Sequence, residues 1–279
     1  MIGRSYLGIV QIPAAAGGHE ALRCTIPAVA PQSYFTDWVR YGGCFALANL
    51  VRWPLTHTVC RTQPFSDHFT WKELWKIGAS GSLADVEKRA GCASQQLREW
   101  VKRDREDDYG RSLDQTRMYS DVACAAMHHA GYFDHISGGQ YLGFREIAEN
   151  GASQFARENQ YLLVGPWGHG AYDQSSYGEW DFGPGAGIDM HAYWLRFLNL
   201  WLKDIDDGIS EEPHARYFQM GENRWKFADS WPPEAVECQD WYLDSGGEAR
   251  GLGGSGRLSQ QTPDIQVSDE YTYDPTDPV

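Results

Sequence analysis

Apolar residues follow two alternating patterns along the chain, short continuous runs and longer stretches with helical spacing. The runs are bounded by Gly or Pro and predict buried strands at 22–30, 122–130 and 161–164. Helical spacing predicts helices at 6–16, 140–150 and 190–204, the last of them strongly amphipathic. Because strands and helices alternate, the sequence predicts an α/β fold around an open sheet.

The pattern changes between residues 34 and 110. Apolar residues there recur only at helical spacing, over 38–51, 71–77, 83–90 and 95–101. A charge run at 102–108 is typical of a solvated helix end. The segment therefore predicts an all-helical insertion in the α/β domain.

The chain after residue 211 has a third pattern. Short strand-like runs occur at 215–220 and 240–243, and the tail from 246 is rich in Gly, Ser, Asp and Pro. This pattern predicts a separate β-rich domain.

A serine lies near the start of the chain in the sequence GRSYLG, residues 3–8. Gly-x-Ser followed by a second Gly is typical of a sharp strand-to-helix turn with a nucleophile at its apex. We therefore expect Ser5 to be exposed at such a turn, with the N–H of Tyr6 directed at a developing oxyanion. A chance Gly-Ser-Gly turn is the alternative interpretation of so short a pattern.

A nucleophilic serine needs a general base, and nine histidines are available. His169 follows the predicted strand at 161–164 in the loop GPWGHG, a position that suits catalysis in an open α/β sheet. His135 is the rival candidate, whereas His128 and His129 fall inside a predicted strand and are expected to pack in the core. The other histidines lie in polar loops or at a helix start: His19, His57, His68, His191 and His214.

The histidine in turn needs an orienting carboxylate. Asp134, in the sequence GYFD, follows a strand-like run and precedes a Gly-rich turn. The order Ser5, Asp134, His169 is that of α/β-hydrolases. Other carboxylates follow the histidine and would break that order: Asp173, Asp181 and Asp189. No HExxH or similar cluster predicts a zinc hydrolase, so neither a metal nor another cofactor is expected.

Net charge and cysteine content limit the kinds of partner and the compartment that we expect for this chain. The 24 basic and 38 acidic residues give a net charge of −14, which argues against nucleic acid, and no apolar stretch is long enough to predict a membrane span. The six cysteines show no CxxC spacing, so buried free thiols in a reducing compartment such as the cytoplasm are expected. The expected partner is a small-molecule ester, amide or peptide, and the oligomeric state stays open.

The motifs together resemble the X-prolyl dipeptidyl-peptidase and cocaine-esterase superfamily of serine hydrolases, which includes α-amino-acid ester hydrolases and glutaryl-cephalosporin acylases. The matching stretches run in the family's order: GRSYLG, IVQIPAA, IPAVAP, GYFD, GPWGHG, FLNLWLKDIDDG and FQMGENRWKFADSWP. The resemblance implies a nucleophile at Ser5, an acid at Asp134 and a base at His169. Trp167 and Tyr6 are also expected to line the acyl pocket, although packing of Trp167 within its loop is an equally good interpretation.

The resemblance also implies a domain organisation. Residues 1–33 and 111–210 would form the C-terminal half of an α/β-hydrolase domain, with the helical insertion at 34–110 as a cap over the active site. Residues 211–279 would begin a C-terminal β-sandwich domain of the jelly-roll type. Family members have further strands before the serine turn, so we expect this chain to be a fragment with impaired activity.

The function expected from these residues is ester or acyl-amide hydrolysis through an acyl-enzyme on Ser5. An X-Pro dipeptidyl-peptidase is the alternative, and it would need a carboxylate to hold the substrate ammonium. Candidate carboxylates lie in the insertion, where a solvated charge run is the competing interpretation: Asp104, Glu106, Asp107 and Asp108. A non-catalytic binding module on a hydrolase scaffold is a second alternative.

Overall fold

The computed structural model describes residues 1–60, 70–234, 236–264 and 267–274. The strands in these residues are β1 (Ile2–Arg4), β2 (Cys24–Ala28), β3 (Arg40–Tyr41), β4 (Cys44–Phe45), β5 (Ala125–Gly131), β6 (Gln160–Gly165), β7 (Ser176–Tyr177), β8 (Trp180–Asp181), β9 (Ala215–Gln219), β10 (Arg224–Ala228), β11 (Tyr242–Asp244) and β12 (Arg257–Ser259). The α-helices are α1 (Tyr6–Ile9), α2 (Gln11–Ala16), α3 (Leu47–Cys60), α4 (Trp71–Ala79), α5 (Val86–Ala90), α6 (Gln95–Lys102), α7 (Asp108–Ser112), α8 (Gly138–Asn150), α9 (Gln154–Glu158) and α10 (Met190–Lys203). The chain forms two compact units, Met1–Trp231 and Pro232–Val279.

The first unit is built on a six-stranded sheet with the order β1-β2-β5-β6-β9-β10. Strands β1 to β9 of that order pair in parallel, and β10 joins β9 antiparallel. Every residue of β2, β5 and β6 is buried. This burial on both faces explains why these strands are continuous apolar runs in the sequence.

Helices cover both faces of the sheet. On one face α10 packs Phe197 and Trp194 against strand residues such as Ile26, Met127 and Leu163. On the other face, Phe144 of α8 packs against Leu162 and Val164. The mixed α/β architecture with a parallel-rich central sheet confirms the coarse fold prediction.

The predicted strands at 22–30, 122–130 and 161–164 are confirmed as β2, β5 and β6. The helix predicted over 6–16 is present but is divided at Val10 into α1 and α2.

The helix predicted over 38–51 is wrong in its first half. A π-helical turn at Tyr34–Trp38 is followed by the hairpin β3–β4, and α3 begins only at Leu47. Gly42 and Gly43 form the hairpin turn with φ values of 58° and 90°, a backbone region that glycine adopts readily.

The helical segment, defined here as the described residues 34–60 and 70–112, has a core of its own. Leu55, Leu74 and Leu97 pack together from α3, α4 and α6. Helix α4 begins with a capping box in which Thr70 and Glu73 exchange hydrogen bonds.

Strands β9 and β10 belong to the main sheet, because β9 pairs with β6. In the second unit, β11 and β12 form a hairpin in which Arg257 and Asp244 make a salt bridge of 2.6 Å. The predicted domain boundary at 211 differs from the boundary between the two compact units, which lies at Pro232, and it stays a prediction.

The expectation that the cysteines are buried free thiols holds only in part for the described residues. Five are free thiols, but only Cys24 and Cys124 are buried, whereas Cys44 and Cys238 are exposed and Cys92 is half-buried. Within the ranges given above, no helix has the length and apolar character that a membrane span requires, and no three His, Cys, Asp or Glu side chains are grouped to hold a metal ion.

Candidate active site

Ser5 occupies a strained turn between β1 and α1. Its backbone angles are φ 55° and ψ −127°, a conformation that non-glycine residues rarely adopt. The Ser5 N–H donates to the carbonyl of Ala28 at 2.9 Å, and the Ser5 carbonyl accepts from Gly8 N–H at 2.8 Å. These bonds tie the turn to strand β2 and to the helix that follows.

The two glycines of GRSYLG allow this close approach. A Cβ on Gly3 would lie 2.6 Å from the Cβ of Leu7, and a Cβ on Gly8 would lie 2.6 Å from the Cβ of Ala30. Both distances are shorter than side chains tolerate, so the motif reflects the close packing of α1 against β1 and against the residues at the end of β2.

His169 and Asp134 are hydrogen-bonded. The distance from His169 Nδ1 to Asp134 Oδ2 is 2.7 Å. The Asp134 side chain is fully buried and that of His169 is 33% exposed. Asp134 Oδ1 accepts the N–H of Ile136 at 2.8 Å, which fixes the carboxylate. Since Nδ1 is engaged, Nε2 is the ring nitrogen that remains for a substrate or a nucleophile.

Topology brings these residues to one edge of the sheet. Ser5 follows β1, Asp134 follows β5 and His169 follows β6, and the carboxyl ends of parallel strands meet at the same edge. The Phe133 N–H also donates to the carbonyl of Trp167 at 3.0 Å, which joins the two loops.

Ser5 and His169 line the same cavity, which has a volume of about 370 Å³. The described residues of its wall are Ser5, Tyr6, Ile9, Pro31, Trp38, Leu50, Arg52, Trp53, His135, Ile136 and His169. A larger cavity of about 840 Å³ includes Arg4 and Tyr172 in its wall but neither Ser5 nor His169 among its described lining.

One wall of the smaller cavity is aromatic and comes from the helical segment. The rings of Trp38 and Trp53 meet edge to face with centroids 5.9 Å apart, and Tyr6 lies 6.1 Å from Trp53. The buried ring of Trp100 stacks behind Trp53 at 5.9 Å. The sequence analysis did not single out these tryptophans, although the tryptophan content of this segment is a visible signal.

His135, the rival histidine, also lies in the cavity wall. Its ring centroid is 5.6 Å from that of His169, and burial lowers the pKa of His135 below its usual range. The carbonyl of His135 accepts a hydrogen bond of 2.5 Å from the Tyr41 hydroxyl. No hydrogen bond between His135 and Asp134 side chains is found in the described structure.

Trp167 lies in the core. Its side chain is 1% exposed, and its Nε1 donates to the carbonyl of Ala186 at 3.2 Å. It is not among the described residues of the cavity wall, which agrees with packing in the loop and not with a place in the acyl pocket.

The acidic residues proposed to hold an ammonium are engaged elsewhere. Asp107 and Asp108 form ion pairs with Arg103 and Arg111, and Glu106 lies 3.7 Å from Arg117. None of the four lines the cavity at Ser5 in the described structure.

Comparisons with known families agree with this architecture. Residues 1–171 match the family model of the X-Pro dipeptidyl-peptidase (S15 family). Residues 207–278 match the model of the X-Pro dipeptidyl-peptidase C-terminal non-catalytic domain.

Individual relatives are longer than this chain. Cocaine esterase from Rhodococcus sp. (strain MB1 Bresler) is 26% identical over 301 residues, covering 100% of this chain and 50% of the relative. An aminopeptidase from a Thaumarchaeota archaeon matches with a TM-score of 0.75 at 22% identity, covering 100% of this chain and 45% of its own. An α-amino acid ester hydrolase matches with a TM-score of 0.74 at 23% identity, covering 100% and 46%. Because both solved structures are less than 25% identical to this chain, these matches show a shared fold and nothing about function.

Proposed function

Since the chain belongs to the X-Pro dipeptidyl-peptidase (S15) family, a family of serine hydrolases, we propose that it carries a catalytic centre that cleaves ester or acyl-amide bonds through an acyl-enzyme on Ser5. The chain spans half the length of the cocaine esterase that it matches. The activity of the whole protein is therefore part of the proposal.

The mechanism assigns one task to each residue. Ser5 Oγ attacks the substrate carbonyl while His169 Nε2 takes the hydroxyl proton, and His169 then gives that proton to the leaving group. Water then attacks the acyl-enzyme while His169 takes its proton, and His169 returns a proton to Ser5 Oγ as the acid product leaves. Asp134 holds the Nδ1–H tautomer of His169 and stabilises the imidazolium, and the Tyr6 N–H is a donor to the oxyanion.

One observation carries this proposal. A histidine that is hydrogen-bonded to a buried carboxylate lies in the wall of the same cavity as a serine at a strained strand-to-helix turn. A structural histidine–aspartate pair would not need a serine in the wall of the same cavity. The combination supports acyl transfer over a non-catalytic binding module.

Ester or acyl hydrolysis is favoured over dipeptide release. A dipeptidyl-peptidase must hold the substrate ammonium, for which a carboxylate is the natural partner. The described wall of the cavity contains two histidines and an arginine, with no Asp or Glu among its described members. The name of the relative cocaine esterase agrees with this preference.

The domain roles extend the proposal. The helical segment contributes Trp38, Leu50 and Trp53 to the cavity wall, so it acts as the cap that selects the substrate. The β-sandwich interpretation of residues 211–279 stays a prediction, supported by the C-terminal family match.

The first prediction tests the nucleophile. Replacing Ser5 by Ala should lower hydrolysis of aryl esters by at least about 10³-fold and abolish labelling by a fluorophosphonate probe, because the attacking oxygen is gone. Ser112→Ala, at the exposed end of α7, is the matched control and should behave as the unaltered chain. Labelling that persists in Ser5→Ala would overturn the assignment, and faster turnover of X-Pro anilides than of esters would favour the peptidase.

A further inference from the structure

Arg52 lies in the wall of the cavity that holds Ser5 and His169. It belongs to α3, and two other residues of this helix, Leu50 and Trp53, line the same cavity. The apolar members of the wall therefore surround a cationic side chain. Neither the proposed mechanism nor the sequence motifs give Arg52 a task.

Because burial lowers the pKa of His135 and the general base His169 acts in its neutral form, Arg52 is the permanently charged side chain among the described members of this wall. Apart from tyrosine, its ionisable members in the described structure are Arg52, His135 and His169, whereas the whole chain carries a net charge of −14. Of the carboxylates near the wall, Asp134 is fully buried and engaged by His169, and Asp37 accepts the N–H groups of Gln32 and Ser33. A permanent positive charge in the wall of a cavity favours anionic over neutral ligands there.

A guanidinium suits this task for two reasons. Arginine stays protonated in proteins even though partial burial lowers the pKa of Arg52, so its charge is permanent. It also has five N–H donors in a planar fork, so one edge can hold a protein group while another binds a carboxylate. Trp38 and Trp53 line the same cavity, and the apolar surface that they present there strengthens such an ion pair.

We propose that Arg52 binds a carboxylate of the substrate and that this hydrolase prefers esters bearing a carboxylate in addition to the scissile bond. This inference rests on the proposed function, because it takes Ser5 as the point of cleavage. It makes Arg52 a specificity-determining residue of the cavity.

The kinetic test compares esters that differ only in this charge. Mono-4-nitrophenyl adipate and 4-nitrophenyl hexanoate place the carboxylate on the acyl side, and 3-acetoxybenzoate and phenyl acetate place it on the alcohol side. The kcat/KM ratio of charged to neutral ester should be about 10- to 100-fold in one of the two pairs. This ratio should fall to near one in Arg52→Gln and be intermediate in Arg52→Lys, which keeps the charge but loses the fork.

The control is Arg105→Gln, because the Arg105 side chain is 90% exposed in the same segment and does not line the cavity. It should keep the ratio of the unaltered chain. A ratio near or below one in both pairs, or a ratio that survives in Arg52→Gln, overturns the inference.

A binding measurement separates this inference from the proposed function. In Ser5→Ala, which cannot form the acyl-enzyme, calorimetry should show tighter binding of the charged ester, with a preference that weakens as salt is raised. If this preference depends on Arg52 while the unaltered chain hydrolyses no ester, the anion site stands and the proposed function fails. If esters are hydrolysed and Ser5→Ala shows no preference, the proposed function stands and the inference fails.

Discussion

At the scale of single residues, short motifs predicted which side chains form the candidate active site. Ser5, Asp134 and His169 each follow a strand, so a sequence that reveals the strands also places these side chains at one edge of the sheet. Trp167 shows the limit of this reasoning. The sequence of its loop does not say which way the indole points, and the space that admits the ring is created by Gly165, where a Cβ would lie 2.4 Å from it.

The residue-scale prediction concerns Asp134. Asp134→Asn should lower kcat by about 10⁴-fold, because an amide can donate to Nδ1 and so favour the tautomer that cannot accept the serine proton. Folding should be little affected, which circular dichroism checks. Asp173→Asn is the matched control, since Asp173 lies in the wall of the other cavity. A larger loss of kcat in Asp173→Asn than in Asp134→Asn would contradict the assignment.

At the scale of elements, periodicity predicted the long helices and buried strands but not the local breaks between them. The hairpin β3–β4 was missed because apolar spacing continues through it, while the Gly42–Gly43 turn reverses the backbone. Strand β9 was predicted, but its partner was not, because pairing with β6 depends on how the chain returns to the sheet. The tryptophans of the cavity wall were missed for the same reason, since their position depends on where the helical segment packs.

The element-scale prediction concerns the contact between this hairpin and the loop that carries Asp134. The hydroxyl of Tyr41 donates to the carbonyl of His135 at 2.5 Å. Tyr41→Phe removes this bond and should lower the free energy of unfolding by about 1 kcal/mol. It should also lower kcat/KM several-fold, because Asp134 and His169 are then held less firmly.

Tyr242→Phe is the control for this contact. Tyr242 lies in β11 and is not among the described residues of the cavity wall, so its substitution should leave kcat/KM unchanged. Equal kcat/KM for Tyr41→Phe and the unaltered chain would show that the hairpin does not position the loop.

At the scale of the whole molecule, the α/β class follows from the alternation of strands and helices, and the family match agrees with it. The boundary between domains follows less directly. The sequence pattern changes near 211 and the C-terminal family match begins at 207, whereas contacts divide the chain at Pro232. Strands β9 and β10 lie between these positions and belong to the main sheet. The change in sequence pattern therefore comes before the boundary between the two compact units.

Strand β5, one of the two middle strands of that sheet, contains two buried histidines that make the free energy of unfolding depend on pH. His128 and His129 of β5 are fully buried, as predicted for a strand interior, and burial lowers their pKa values to about 4 and about 3. In the unfolded chain both histidines titrate near 6.5. Below that pH the unfolded state binds more protons, so the free energy of unfolding falls as the pH is lowered, by about 1.4 kcal/mol per pH unit for each histidine. The stabilising contribution is fully present above about pH 6.5.

The last prediction removes one of these groups. The ring nitrogens of His129 have no hydrogen-bond partner in the described part of the chain, and its ring packs among Trp167, Tyr172 and Trp194. His129→Leu should therefore fold at neutral pH with equal or greater stability, since an unsatisfied buried polar group costs about 1–3 kcal/mol. Urea unfolding at several pH values measures how the free energy of unfolding changes with pH. Between pH 6 and 4 it should fall less steeply for His129→Leu than for the unaltered chain, and the difference in slope should correspond to one proton, about 1.4 kcal/mol per pH unit. His191→Gln, at an exposed position of α10, should keep the original slope, and parallel declines for His129→Leu and the unaltered chain would show that His129 is not protonated on unfolding.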